Sequence, residues 1–562
     1  MINLLECLVL LLSFLCYSDS LSGDFVFDDR FAIVLNKDVT VKENWGNIFF
    51  NDFWGRSMTH VLSNKSYRPL TTLSFCLNFR LSGLDPRSYH VLNQLLHTLG
   101  TWLFLLLGKR LFKNRVNGEK LAVYSALCFS VHPVHTEAIC NIVGRADLLA
   151  FIFTLVCMLV LTSETVPFRH SWTARLLVIF FGTSAYLSKE TGLLVFPICG
   201  LYILLCEGRA LSFKAVLSVA IFIGTFIAHL AIRARILGSL NMSPNFTPLD
   251  NPLYFEKNLT KRFYDRVQTH WENNRLLLFP MRLSCDYGPV SLKPCTETSF
   301  LWLDSVNLCF LRATVLYSFY AFAFLHSANA YFGSREKDTL LAFSFTWFIA
   351  SMFPMSHLGL NIGTVVAERL LYTPSGPFTL WTMGLLGRYS LTRCSVEKQG
   401  SKSTRKEPIA MFVVVFIVGM FAHRSIERSR DWNNERLLFQ AGVKTFPNNA
   451  RMNNNIGTLL LQESSKNAKA NKSILKAAAN HFHIATQSSP TYATAWHNRG
   501  LTFLLDGQPA NSIQYFENAL KLEPNDIMFL NNYGIALERL KLFTKAKKVF
   551  GVARALENVK NN

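Results

Sequence analysis

The sequence predicts an all-α protein, with a polytopic membrane core of about eleven helices followed by an α-solenoid of helical repeats. Three observations carry this. Half of the 562 residues are hydrophobic, only 17% are charged, 47 are Phe and the mean hydropathy is +0.21. A soluble domain carries about 25% charged residues. Apolar runs of about 17 to 25 residues, long enough to cross a bilayer, recur along the first three quarters of the chain. From about 447 onward the hydrophobicity falls and a 34-residue period takes over. Disorder, collagen-like sequence and a disulfide miniprotein are excluded.

The apolar runs fall near 3–21, 91–108, 120–137, 147–163, 175–188, 191–206, 212–232, 307–327, 339–356, 370–387 and 409–422. The first, MINLLECLVLLLSFLCYSDSLSG, reads either as a cleaved signal peptide or as an anchor, since Glu6 stands where a basic n-region is usual. Pro374 and Pro377 interrupt the tenth. The net charge of +20 sits mainly in short loops between runs, a positive-inside pattern rather than a nucleic-acid groove. Lys109, Arg110, Lys113, Arg115 and Lys120 follow the second run, and Arg169 and Arg175 the fourth. Arg209 and Lys214 follow the sixth, and Arg388, Arg393, Lys398, Lys402, Arg405 and Lys406 the tenth. All are even-numbered connections, which places those on the cytosolic side.

The sequons agree. Asn64, Asn241, Asn245, Asn258 and Asn471 each start an N-x-S/T triplet, and every one lies in an odd connection or after the last run. Such sites are used only on the lumenal side. Twelve scattered cysteines, among them Cys128, Cys157, Cys199, Cys206 and Cys309, show no metal-binding spacing and read as packing residues.

The tail has the spacing of tetratricopeptide repeats. Gly500 recurs as Gly534, Ser512 as Ala546, Phe516 as Phe550 and Ala519 as Ala553, with Trp496, Phe503 and Pro524 at matching positions. An earlier copy carries Gly457, Ala478, Phe482, Ala485 and Pro490, with about nine extra residues around Asn471. The expected division is a membrane core over 1–430 and repeats at about 450–492, 493–526 and 527–562. Each residue type is solenoid packing, and the function of such an array lies in its concave surface.

Candidate chemistry concentrates in the loops. The first long loop, about 22–90, carries Asp28 and Asp29 directly after an apolar stretch. They read either as a helix cap with a first-turn acid or as a general base that takes a hydroxyl proton. The segment SVHPVHTEAICNIVGRADLLA holds His132, His135, Glu137, Arg145 and Asp147. The lone HxxH is interrupted by Pro133, so these residues read as a polar network at the membrane rim rather than a metal site. Lys189-Glu190 and Glu368-Arg369 are adjacent charge pairs between apolar runs. Each reads either as a self-compensating ion pair or as a holder of a lipid-linked phosphate.

Taken together, FVFDD, NDFWG, SYRPLTTLSF, LDPRSYHVLN, HPVHTEAICNIVGRADLLA, LSKETG and VAERLLYTPS resemble the transmembrane and tetratricopeptide-repeat (TMTC) family, in order and over nearly the whole chain. The resemblance implies a GT-C fold in the endoplasmic-reticulum membrane. It also implies transfer of mannose from dolichyl-phosphate mannose to Ser or Thr of cadherin-type and protocadherin domains. No cofactor beyond that lipid donor is implied. By the resemblance an acid of the first lumenal loop, Asp28 or Asp29, serves the acceptor. His132, His135, Glu137 and Arg145 line the cavity, and Lys189, Glu368 and Arg369 attend the donor phosphate. Family members usually carry more than three repeats. Two rival readings are a non-catalytic lumenal adaptor, whose repeats bind partners while the core anchors it, and a transporter. Lack of internal symmetry disfavours the transporter, and an adaptor has no use for Asp28-Asp29.

Overall fold

A computed structural model describes residues 3–561, apart from 61–62, 164–168, 208–210, 238–245, 289–301, 333–337, 359–361, 389–405 and 467–470. Among the described residues the chain is helical, and its only strand-like pairing is an isolated bridge between Asn51 and Ser57. The membrane part comprises α1 (Leu4–Leu15), α2 (Pro69–Ser82), α3 (Pro86–Leu111), α4 (Gly118–Ser130), α5 (His135–Cys140), α6 (Arg145–Leu161) and α7 (Trp172–Ser188). It continues with α8 (Val195–Glu207), α9 (Phe213–Leu237), α10 (Leu259–Leu278), α11 (Trp302–Phe332), α12 (Thr339–Met352), α13 (Tyr372–Leu386) and α14 (Lys406–Asp431).

Every one of the eleven apolar runs is helical, but not every helix is long enough to cross alone. Among the described residues seven stretches are long and apolar enough, at Leu4–Ser22, Pro86–Leu111, Ile142–Leu161, Glu190–Glu207, Phe213–Ile236, Thr339–Ser356 and Ile409–Asp431. The run at 120–137 shows why the others fall short. Its helix stops at Ser130, because Pro133 lacks an N–H and biases His132 away from helical geometry. The chain restarts as the six-residue α5. By contrast α3 is built to run long. Asp85 caps it by accepting from Arg87 N, Pro86 opens it, and Lys109 and Arg110 complement its last turn.

After α14 come α15 (Glu435–Thr445) and three helix pairs. These are α16 (Ala450–Lys466) with α17 (Asn471–Ser488), α18 (Ala493–Leu505) with α19 (Pro509–Leu522), and α20 (Ile527–Arg539) with α21 (Phe543–Asn561). One glycine in the first helix of each pair admits a Phe ring from the second. The pairs are Gly457 with Phe482, Gly500 with Phe516 and Gly534 with Phe550. Phe482 follows its glycine by 25 positions and the others by 16, so the nine extra residues of the first repeat sit between its helices. A Cβ at Gly534 would stand 2.5 Å from Phe550. Gly534→Leu is therefore expected to destabilise the terminal pair by about 1–3 kcal/mol, read as an earlier melting transition of the repeats.

The repeats are fastened to the membrane part. Arg451 donates to Asp286 at 3.0 Å and to Asp250 at 2.5 Å, and Asn449 donates to Asp286. Thr445 Oγ1 donates to the Leu283 carbonyl at 3.0 Å. On the other side Asp24 N donates to the Asn433 carbonyl. The turn between α14 and α15, which leads into the array, thus meets the first loop near Asp28 and Asp29.

Candidate functional site

The FVFDD segment folds as a tight turn. Asp29 N donates to the Val26 carbonyl, and the Asp29 carboxylate accepts from Val26 N at 3.3 Å and from Val143 N at 2.9 Å. Phe27 in the middle adopts φ +53°, a region that bulky residues rarely enter and that marks stored strain. Its ring stands edge-on to Phe439 of α15. This conformation separates the two acids. Asp29 turns inward and is fully buried, where burial pushes its carboxyl up to about 7 against the pull of the Val143, Val26 and Ile142 amides. Asp28 turns outward and keeps 23% of its side chain exposed.

Arg369 meets Asp28 there. Its Nη1 donates to Asp28 Oδ2 at 3.0 Å, its Nε lies 3.6 Å from Glu137 Oε1, and its backbone N donates to Glu137 Oε2 at 3.0 Å. The guanidinium is 27% exposed and Glu137 only 4%. Burial raises the Glu137 carboxyl above the usual carboxylate range, with Arg369 pulling the other way. Behind this layer lies a second one. Glu368 Oε1 accepts from Ser284 N at 2.6 Å and from Tyr287 OH at 2.9 Å, and its Oε2 lies 3.7 Å from Arg428 Nε. Glu368 and Arg428 are both fully buried, and Arg428 also donates to Asp431 at 3.1 Å. Burial raises the Glu368 carboxyl too, with Arg428 opposing. The outcome is one partly open carboxylate beside one partly open guanidinium, resting on a buried charged floor.

The other candidates are placed differently. Lys189 is committed to Asp147 at 2.5 Å, and Glu190 to Arg68. Glu368 belongs to the floor, not to an open phosphate site. His132 and His135 are packed rather than cavity-lining. His132 Nε2 lies 3.1 Å from the Leu277 carbonyl and His135 Nε2 lies 2.7 Å from Ser375 Oγ, with rings against Phe421 and Tyr372. Arg145 is also interior. It bonds Asn93, Asn78 and the Ser74 and Tyr89 carbonyls and lies over the Phe75 ring, clamping α2, α3 and α6 together. Sequence reasoning missed Arg428, Tyr287 and Arg68. Arg428 was visible only as one of several basic residues in ERSRDW, at the end of a long apolar helix.

Comparison with known proteins gives two family matches. Residues 240–316 match the description "Protein O-mannosyl-transferase TMTC, DUF1736", and residues 493–526 match a tetratricopeptide repeat. The chain is 32% identical over 519 residues to protein O-mannosyl-transferase TMTC3 of Mus musculus, covering 87% of this chain and 51% of that protein. It is 31% identical over 500 residues to TMTC4 of Mus musculus, covering 81% and 64%. The chain thus spans about half the length of the curated TMTC3 relatives it matches. Among solved structures, the Archaeoglobus fulgidus oligosaccharyltransferase superposes with a TM-score of 0.39 at 10% identity, covering 75% of this chain and 56% of that one. ArnT of Cupriavidus metallidurans, bound to undecaprenyl phosphate, gives 0.35 at 12% identity, covering 81% and 80%. Both overlaps are too loose to carry an argument about fold type.

Proposed function

Because this chain belongs to the transmembrane and tetratricopeptide-repeat (TMTC) family, we propose that it is a protein O-mannosyltransferase. It takes mannose from dolichyl-phosphate mannose and places it on Ser or Thr of secretory-pathway proteins, cadherin-type domains among them. Its reaction centre faces the endoplasmic-reticulum lumen in a GT-C-like membrane core. The single observation that carries the catalytic reading is the Asp28–Arg369 pair, the open top layer of an otherwise buried charge cluster.

The chemistry is a single displacement. The acceptor hydroxyl passes its proton to Asp28 as its oxygen bonds to the anomeric carbon, and the bond from that carbon to the lipid phosphate oxygen breaks. The configuration inverts, and no covalent enzyme intermediate forms. Asp29 holds the turn that aims Asp28, and Arg369 fixes its carboxylate. The repeats, which follow the turn at Asn433 that bonds this loop, present the protein acceptor.

The lumenal orientation has its own test. Asn64 and Asn258 are exposed, Asn471 begins α17, and Asn241 and Asn245 lie outside the described residues. Endoglycosidase treatment of the cell-expressed chain is expected to shift its mobility, and Asn64→Gln with Asn258→Gln to reduce the shift. A chain with no shift at any sequon contradicts the orientation. The donor is tested by offering the purified full chain dolichyl-phosphate mannose or a nucleotide-linked mannose. Transfer from the lipid alone supports the reading, and transfer from the nucleotide sugar alone overturns it.

A further inference from the structure

Helix α15 begins just past Ile409–Asp431, the last stretch long and apolar enough to cross a membrane, and it touches both halves of the Asp28–Arg369 pair. At its N-terminal end Glu435 lies 3.6 Å from Arg30, and just before it the Asn433 carbonyl accepts from Asp24 N at 2.9 Å. In its middle the Phe439 ring, only 5% exposed, meets the Phe27 ring edge-on at a centroid distance of 6.3 Å. At its C-terminal end Thr445 donates to the Leu283 carbonyl, and the next residue, Ser284, donates its N to Glu368, the neighbour of Arg369. Phe446, the C-cap, stands edge-on to Tyr287 at 5.6 Å, and the Tyr287 hydroxyl also donates to Glu368. One helix of 11 residues, about 16 Å long, is thus seated on the acid turn at one end and on the charged floor at the other.

The contacts at the turn are unequal. Arg30 is 54% exposed, and an exposed ion pair contributes little. Phe27 sits at φ +53°, a conformation that a bulky residue keeps only where its surroundings fix it. Among the described residues its aromatic partner is Phe439. The Asp28 carboxylate in turn bonds Arg369 alone among the described residues. The aim of that carboxylate is therefore set by the backbone of the turn, and a rotation at Phe27 swings it directly.

We propose that Phe439 is a positioning residue: by packing on Phe27 it holds the left-handed turn, and through that turn the aim of Asp28 at Arg369. The helix that leads into the repeats is then part of the reaction centre and not a passive link to an acceptor-binding array. That the positioned group is the base rests on the function proposed above; the clamp on the turn does not.

The test is hydrogen exchange of the full chain in lipid nanodiscs, read by mass over residues 22–35, beside mannosyl transfer to a short Ser/Thr peptide. Phe439→Ala is expected to speed exchange of the bonded turn amides of Asp24, Val26 and Asp29 roughly two- to ten-fold, the worth of an aromatic pair. The kcat should fall by a similar factor, with KM for the peptide within about two-fold of the parent value. Exchange in α3 and in the repeats should not change. Phe439→Met, which refills the space, should restore both readouts. Gly enters the left-handed region freely, so in a Phe27→Gly chain Phe439→Ala should add nothing, the behaviour of a coupled pair. If Phe439→Ala does not fold, Phe27→Ala removes the same contact from the loop side and should speed the same amides. Unchanged turn amides in both Ala variants, equal loosening throughout α15 and the repeats, or a full Phe439→Ala effect in the Phe27→Gly chain overturns the proposal. So does undiminished transfer with a loosened turn, in a chain that Asp28→Asn still inactivates. Because exchange is read without substrate, a loosened turn in a chain that never transfers mannose leaves the clamp standing and removes the enzymatic reading.

Discussion

Asp28→Asn is expected to lower mannosyl transfer by about 10²- to 10⁴-fold, the usual worth of a general base, with membrane insertion and repeat folding unchanged. Asn keeps the size of the side chain and can still accept from Arg369, so the loss reports proton acceptance alone. Asp29→Asn should behave differently. Its role is to accept from Val26 N and Val143 N, which an amide oxygen can also do, so activity should fall only a few-fold. Asp29→Leu leaves both buried amides unpaired and should abolish the turn. A pH titration separates the two acids further. The folded Asp29 carboxyl is raised from 3.8 to about 7, so stability from its bound proton is full below about 4 and is lost as pH rises through 7. Asp29→Asn, a neutral mimic of the protonated side chain, should remove that slope, whereas Asp28→Asn should leave it in place. Equal, large losses of activity in both Asn variants would mean that the division of roles read from the turn is wrong.

The second large effect is expected beneath the site. Glu368 and Arg428 are both fully buried, 3.7 Å apart, and Glu368 also receives Ser284 N and Tyr287 OH. Removing one partner of a buried pair strands the other charge, at about 3–5 kcal/mol. Arg428→Met and Glu368→Leu should therefore each destabilise the chain by that order, seen as a drop in melting temperature and in cell-surface-independent expression level. The double replacement should recover much of the loss, because neither charge is then left alone in the interior. Tyr287→Phe removes one hydrogen bond and should cost only about 1 kcal/mol. If both single variants are as stable as the parent chain, the floor is not an interior ion pair.

Legibility in the sequence followed the range of the interactions. The repeats were readable because their signal is local: one glycine and one Phe recur at a fixed spacing, and each repeat closes on itself. The apolar runs were readable for the same reason, although hydrophobicity alone does not show that Pro133 ends the helix of the 120–137 run at Ser130. The pairings within the site could not be read. Asp28 finds Arg369 across 341 residues and Asp29 finds Val143 across 114. Nothing in FVFDD says which acid faces outward, since that depends on the left-handed Phe27. Histidines in HPVHTE looked like rim residues by composition, but they are enclosed by Phe421, Phe129 and Tyr372. The Lys189 charge looked available because Asp147, its partner, lies 42 positions away at the start of the fourth apolar run, with the fifth run between them.

The most direct measurement is the intact mass of a folded cadherin-type domain after incubation with the purified full chain and dolichyl-phosphate mannose. The unmodified chain is expected to add hexose to Ser or Thr of the domain, and Asp28→Asn to add almost none under the same conditions. A domain that gains no hexose from the unmodified chain while still binding its repeats would contradict the enzymatic assignment and leave a membrane-anchored adaptor. Hexose added equally by the parent and the Asp28→Asn chain would instead remove Asp28 from the centre of the reaction.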